Sequence, residues 1–598
     1  MDLESSPFYH LFDTNYATSC AEAKHIHELL RLPEQELRDI DEEIARLDTL
    51  LDNLRSRKEI LSSYIHKHRQ LLSPIRRFPP EMIAELFTYC LPSTHPSTRD
   101  PSEAPLLLTL VCKQWREIAL HTPYLWSALH IYISDFPGEG FVERRRNRIK
   151  QWLERSGNLP LSLSLTHRRS FWEWTHQGSD NQKTRISSLM ECLIEYSPRW
   201  KDLTLNAPDT VFQLIGAVPP EKLRVLQRLF INVPYSYDHP IPSREFEESL
   251  FLFLNRLPRL TSLHLREHLS LPFQSGFQQW SKLTELSLFR RNDRHDRKSN
   301  PLLFNDAMRL LSQTPDLRVC KLMIQLDGTA KEHQVTLPLL RDLTLIFYAV
   351  PYGKPLSLTL AQSLTVPSLA NLVIHGYAPL ADMTAIRRDR LELFYRELLS
   401  KLFKESTSMQ SLDIGVALSF SELFHLVPQL KSLTIFNRRE DEIERLIAVV
   451  DKSLPESELS LPLCPELQTL KLPNMFRLTP SDLLNLVRSR QEYSSLYSSQ
   501  NSDPGSRKCR ALRTLEVYIS SSCDRNDVTP EIMEAFERLR EEGMNICIAY
   551  NGWPETPEPK DDWPWEGLFD WEGCSEWEVI RSTRMFKTKP ENAEMVYI

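Results

Sequence analysis

Glycine is scarce, with 15 residues in a chain of 598. Loops that cradle phosphates need backbone able to approach the ligand closely, so this scarcity argues against nucleotide chemistry. No CxxC pair occurs, and the ten cysteines are dispersed: Cys90 and Cys112 are 22 residues apart, Cys509 and Cys523 14. Nor does Met1 to Tyr16 hold an apolar run of signal-peptide length. Reduced thiols in an intracellular protein, cytoplasmic or nuclear, are therefore expected. No stretch approaches the ~20 apolar residues of a bilayer span, so no membrane is expected as partner. The net charge of −8 is too small to mark nucleic acid as one. GxSxG, HExxH and the Walker phosphate loop are missing, and the seventeen histidines are scattered. His264 and His268 have helical ligand spacing but fall on a predicted strand. The expectation is a protein with no catalytic residue, no cofactor and no metal site.

Proline, in contrast, is plentiful at 41, which fits many short segments punctuated by turns. Residues 1–33 read as an N-terminal extension, and Pro33-Glu34 as a helix start, since proline and an acid both suit a first turn. From Leu37 an a/d seam runs without slippage through Ile40, Ile44, Leu47, Leu51, Leu54, Lys58, Leu61, Ile65, His68 and Leu72. Nine of these eleven positions are apolar, which predicts a coiled-coil helix over 34–72. Its flanks are acidic first (Glu36, Asp41, Glu43, Asp48) and basic later (Arg55, Arg57, Arg69). A parallel in-register pair sets Glu43 against Asp48, whereas an antiparallel pair matches acid with base. Self-association through 37–72, packing on the chain's own later domain, and a foreign partner all remain open.

After Leu72 comes Ser73-Pro74-Ile75-Arg76-Arg77-Phe78-Pro79-Pro80-Glu81, which leads into a short helix with apolar residues at 82, 83, 86, 87 and 91. A polar loop, Ser93 to Ala104, precedes a second predicted helix from Leu106 to Leu120, followed by Pro123-Tyr124-Leu125-Trp126. Three short helices in about fifty residues bury their own apolar faces poorly, so a partner is expected. The arrangement resembles the F-box. The residues that carry the likeness are Phe78, Pro79, Pro80, Glu81, Ile83, Phe87, Leu91, Leu110, Val111, Cys112, Lys113, Trp115, Arg116, Ala119, Leu125 and Trp126. It is most similar to the expanded fungal F-box domain-containing family, in which a coiled coil precedes the F-box. Two departures stand out: Phe78 occupies the place of an opening leucine, and the loop from Ser93 is longer than the compact form. The resemblance implies that 73–130 docks on the Skp-family adaptor of a Skp–cullin–F-box (SCF) ubiquitin ligase. The contact would be helix-in-groove, through the residues just named other than Lys113, Arg116 and Ala119.

From Pro258 onward one phrase recurs, P-x-L-x-x-(L/C)-x-(L/I): Pro258–Leu265, Pro315–Leu322, Pro338–Leu345, Pro367–Ile374, Pro428–Ile435 and Pro465–Leu472. Looser copies include Leu283-Leu286-Leu288, Met409-Leu412-Ile414 and Leu512-Leu515-Val517, with Leu161-Leu163-Leu165, Leu203-Leu205 and Leu226-Leu229-Ile231 before them. Each copy places alternate leucines on one face of a short strand, with helical stretches such as 301–311, 391–403 and 479–488 between copies. Stacked strand–helix units bury a core that no single unit could.

Three charged or biased segments stand outside this pattern. The basic run Arg144 to Lys150 leads to a helix end capped at Gly157 and reads as a solvated face, with a nuclear address or phosphate contact as the alternative. Arg290 to Lys298 reads as an exposed loop, and Gln491 to Arg507 as a flexible Ser-rich insertion. Between Asn551 and Ile580 sit five tryptophans and nine acids against one lysine, a segment suited to capping a solenoid or binding a partner.

The expected fold class is an α/β solenoid: an irregular leucine-rich repeat array of about eleven units over 131–550. An F-box and a coiled-coil helix precede it, and an acidic Trp-rich tail over 551–598 follows. The expected function is substrate recognition for a ubiquitin ligase, leading to ubiquitin-dependent degradation of a protein held on the repeats. The rival readings are a leucine-rich scaffold acting outside ubiquitination and a hydrolase with a non-local site, for which no residues speak.

Overall fold

The computed structural model describes residues 6–93, 95–133, 141–167, 180–207, 209–233, 244–266, 280–289, 302–326 and 334–349. It further describes 361–377, 385–416, 418, 421–436, 464–475, 480–498, 510–519 and 530–550. The Trp-rich tail, His268 and the 290–298 loop lie outside these residues. Two compact units, Met1–Leu86 and Phe87–Ile598, divide the chain.

The first unit is dominated by one helix, α1, Cys20–Leu71. It starts at Cys20 and not at Pro33, because Ser19 and Glu22 form a capping box. The Ser19 backbone N–H donates to Glu22 Oε2 at 2.8 Å, and the Glu22 N–H to Ser19 Oγ at 3.4 Å. The Ser19 contacts hold the Glu22 carboxyl below its ordinary range. Pro33 sits inside the helix. The apolar period continues upstream of it at Leu30, Ile26 and Ala23, so the predicted boundary was only an interruption in the seam. Every seam residue from Leu37 to Leu72 is exposed, Leu47 at 45% and Leu72 at 68%. The helix is followed by a 3-10 turn, Pro74–Arg77, and by the start of α2, Pro80–Tyr89.

The second unit opens on two short helices where one was predicted: α3, Leu106–Val111, and α4, Lys113–Leu120. The break is at Cys112, whose φ of −158° and ψ of 171° are extended. Its sulfur then caps α4 by accepting the Trp115 N–H at 3.4 Å. Arg116 Nε donates to the Thr109 carbonyl at 2.8 Å, satisfying an acceptor left over at the end of α3. The third predicted helix is a 3-10 turn, Pro123–Trp126.

Beyond Trp126, among the described residues, fourteen strands form one parallel sheet in strict chain order. They are β1 (Ala128–Ile133), β2 (Leu161–His167), β3 (Trp200–Asn206), β4 (Arg228–Asn232), β5 (Ser262–Arg266), β6 (Glu285–Phe289) and β7 (Val319–Leu326). The series continues with β9 (Asp342–Ala349), β11 (Asn371–Tyr377), β12 (Ser411–Gly415), β13 (Ser432–Ile435), β14 (Thr469–Met475), β15 (Thr514–Ile519) and β16 (Asn545–Tyr550). A two-stranded side sheet pairs β8 (Val335–Thr336) with β10 (Leu364–Thr365). A sheet in which each strand pairs only with its predecessor and successor is solenoid-like, and helices on the return paths make it α/β.

The register explains why these sequences stack. One column runs Leu129, Leu163, Leu203, Leu229, Leu263, Leu286, Cys320, Leu343, Leu372, Leu412, Leu433, Leu470, Leu515 and Ile546. All fourteen are buried. Two residues on, a second column begins at Ile131, Leu165, Leu205 and Ile231, also buried. Helices cover this face, such as Phe304–Ser312, which buries Phe304, Ala307, Met308, Leu310 and Leu311. The basic run lies on α5, Phe141–Arg155, whose end is marked by Gly157 at φ +57°. Arg145 on that run is buried, so the run is not wholly a solvated face. The segment expected to be a flexible Ser-rich insertion is helical to Ser498 within the helix Pro480–Ser498, and 499–507 lies outside the described residues.

Candidate docking surface and outward rows

The helical segment before the sheet divides its apolar residues into an anchored set and an exposed set. In the second unit, Leu125 and Trp126 are fully buried. The Trp126 indole donates to the Ala119 carbonyl at 2.8 Å and stands edge-on to Trp152 of α5. Arg155 lies over the same ring, 4.6 Å from its centroid. Phe87 is buried too, with its ring 4.9 Å from that of Trp115. Leu125, Trp126 and Phe87 were expected on the partner surface; they are core, because their apolar area is spent inside the chain. In the first unit the same correction applies to Ile83, which is buried, while Phe78, Pro79, Pro80 and Glu81 are exposed.

The remaining predicted residues of the second unit do face solvent. Leu110 is 58% exposed and Val111 55%, and Cys112 is exposed beside them. Leu91 and Trp115 are half-buried. Leu110 and Val111 share one face of α3 with Leu107, three and four residues before them, and it is this face that stands in solvent. Leu91, Val111 and Trp115 line an open groove of about 630 Å³, together with Pro92, His95 and Leu107 among others. Leu107, also exposed and lining the groove, extends the apolar patch, and the sequence reading omitted it. Its signal was available: Leu107 stands three and four residues before Leu110 and Val111, on the same helix face.

The long loop before α3 is ordered by its own polar groups. Thr98 Oγ1 donates to Glu103 Oε2 at 3.1 Å, and the Ser102 N–H to Asp100 Oδ1 at 2.6 Å. The Ser97 carbonyl accepts the His130 N–H at 2.8 Å, so the loop occupies a backbone donor on the edge strand β1. Burial pushes the Arg99 guanidinium below its ordinary value.

On the sheet, the residue between the two core leucines of each phrase points away from the core. This middle row includes His130, His264, Lys321, Asp413, Lys471 and Glu516. Phe230 and Val373 stand in the same row, and polar contacts tie it to the outward rows on either side, which hold Ser262 and Glu285 before it and His375 after it. His375 Nε2 lies 2.8 Å from Asp413 Oδ1, and Lys471 Nζ 2.9 Å from Glu516 Oε2. Ser262 donates its hydroxyl to Glu285 Oε2 at 2.6 Å and lies 3.0 Å from His264 Nε2. Because that proton goes to Glu285, His264 Nε2 carries a hydrogen and donates to Ser262. The cluster is thus wired opposite to a nucleophilic triad, in which histidine would accept the serine proton. His264 beside Glu285, then Ser262 and Arg228, hold the Glu285 carboxyl down at about 2. Burial moves the His264 imidazole below its usual value and outweighs the attraction of Glu285.

No protein-family model matches this chain, and no curated protein matches it either. Among the described residues no helix is long and apolar enough to cross a membrane.

Proposed function

We propose that this chain is a non-catalytic F-box adaptor of an SCF-type ubiquitin ligase. Its helical module, 73–130, docks on a Skp-family adaptor, and its leucine-rich repeat solenoid holds a protein substrate for the cullin-bound ligase to modify. The observation that carries the reading is the exposure of Leu110 and Val111 on a short helix that ends at Cys112. Large apolar side chains standing in solvent on one face of a short helix mark a surface that another protein covers. Leu91 and Trp115 line the groove beside Val111, and Leu107 widens the apolar patch.

The solenoid supplies the second half of the reading. Rows of polar side chains on a parallel sheet offer many independently placed contacts, the property a substrate receptor needs. Proximity does the work, with one end docked and the other holding the target, so no side chain here has to perform chemistry. Dispersed free thiols suit a cytoplasmic or nuclear setting, where ubiquitin ligases act.

Co-purification of the full chain with a Skp-family adaptor and a cullin tests the proposal. Recovery of both supports the ligase assignment. Recovery of the adaptor alone supports a scaffold acting outside ubiquitination, and recovery of neither by a folded chain removes the F-box reading.

A further inference from the structure

Helix α1 carries an apolar seam over 37–72 that is solvent-exposed at every position. A lone helix of this length gains little from propensity alone and is stabilised by a partner for its apolar stripe. The seam and its flanks say which partner. We propose that α1 pairs with α1 of a second copy of this chain as an antiparallel two-stranded coiled coil, making the protein a homodimer.

The argument starts from the polar seam residues. In a parallel in-register pair Lys58 meets Lys58 and His68 meets His68, so the two polar positions collide with themselves. An antiparallel pair centred between Leu51 and Leu54 removes both collisions. Leu51 then faces Leu54, Ile44 faces Leu61, and Ile40 faces Ile65, all apolar on apolar. Lys58 falls opposite Leu47, beside the second copy's Asp48, and His68 falls opposite Leu37. In this register the overlap ends at Leu72 against Pro33, so the proline stands where the paired segment stops.

The flanks agree with the same register. The positions bordering the seam on one side are Glu34, Asp41 and Asp48, then Arg55 and Arg69. On the other side they are Glu36 and Glu43, then Arg57. A parallel pair sets Glu36 beside Asp41 and Glu43 beside Asp48, twice over by symmetry. The antiparallel pair lays the acidic half of each helix along the basic half of the other, a self-complementary charge pattern that only a second copy supplies. Only part of this charge is engaged within the helix, at Glu43–Arg46 and Asp52–Arg55, both well exposed.

The geometry has a functional consequence. Forty residues of helix span ~60 Å, so the two chains leave the pair from opposite ends, each continuing into its own docking module and solenoid. A bivalent receptor of this kind holds a target bearing two recognition segments through effective concentration.

The test is the mass of the purified full chain in solution, by light scattering at micromolar concentration. The expected result is twice the 69.9 kDa of the single chain. Leu47→Asp/Leu54→Asp should give the single-chain mass with an unchanged solenoid melting transition. Asp41→Lys/Asp48→Lys and Arg55→Glu/Arg69→Glu should each weaken dimerisation, on the order of tenfold, and an equimolar mixture of the two should restore it. Orientation is read by oxidising a mixture of Leu37→Cys and His68→Cys chains and identifying the linked peptides by mass spectrometry. Position 37 linked to position 68 is the expected product. A monomeric native chain, or 37 linked to 37, overturns the proposal.

Discussion

The indole of Trp126 stands edge-on to that of Trp152, with ring centroids 4.7 Å apart and planes at 78°. This contact joins the turn Pro123–Trp126 to α5, so the turn shares a core with the first helix beside the sheet. Trp126 is 0% exposed. Trp126→Ala should therefore cost ~3–5 kcal/mol in urea unfolding of the full chain. Trp126→Phe, which keeps a ring but loses the 2.8 Å bond to the Ala119 carbonyl, should cost ~1 kcal/mol. An alanine variant as stable as the native chain would show that the junction is not part of the core.

Close packing leaves little room at two glycines, Gly376 on the core side of the sheet beside the buried Tyr395 and Gly415 on the outward side against His375. A Cβ on Gly376 would sit 2.6 Å from the hydroxyl of Tyr395, and one on Gly415 would sit 2.8 Å from His375 Nδ1. Tyr395 is buried and His375 is tied to Asp413, so neither ring can swing away. Gly376→Ala and Gly415→Ala should each lower stability by ~1–3 kcal/mol, read as a drop in melting temperature. Neutral substitutions would mean that the rings are not held where they stand.

Glu285 gives the solenoid a defined acid sensitivity. Its folded pKa of about 2 lies below the ordinary 4.5. Folding thus favours the ionised form, and the resulting stability is fully present above pH 4.5 and is lost as pH falls toward 2. Glu285→Gln should destabilise the native chain near neutral pH, and the gap should narrow as the pH drops below 4.5. Urea midpoints across that range measure it. A gap that stays constant with pH would contradict the ionised Glu285–Ser262–His264 arrangement.

Thiol labelling separates docking surface from core. Cys20, Cys90 and Cys112 are exposed, whereas Cys192, Cys320 and Cys464 are buried, the last two with pKa values pushed up to about 12. Native alkylation followed by peptide mass spectrometry should modify the first three and spare the second. Bound Skp-family adaptor should slow labelling of Cys112 and leave Cys20 unchanged. Equal protection of both would place the adaptor elsewhere.

Much of the fold was legible because one physical pattern repeats. The alternating leucines of each L-x-x-L-x-L phrase mark twelve of the strands from β2 to β15, and they are the buried columns. The first and last members of the sheet escaped for different reasons. Leu129 and Ile131 of β1 follow Trp126 so closely that they read as the end of the helical module. In β16, Ile546 and Ile548 replace the leucines of the phrase. The break at Cys112 was invisible because the apolar period runs through it, and a cysteine sulfur is an uncommon cap. Ile83, Phe87, Leu125 and Trp126 could not be told from Leu110 and Val111 by residue type, since an apolar side chain serves a core and an interface equally well. Only burial separates them. The helix start at Ser19 was legible in principle, as S-x-x-E, but Pro33 is the louder signal.

The most direct test of the account is the affinity of the full chain for a Skp-family adaptor, native against Leu110→Asp/Val111→Asp. Both side chains are exposed, so the double variant should fold and melt like the native chain. The account predicts binding by the native chain and its loss, by at least about 2 kcal/mol, in the variant. Equal binding by the two would contradict the placement of the docking surface, and no binding by the folded native chain would contradict the adaptor function itself.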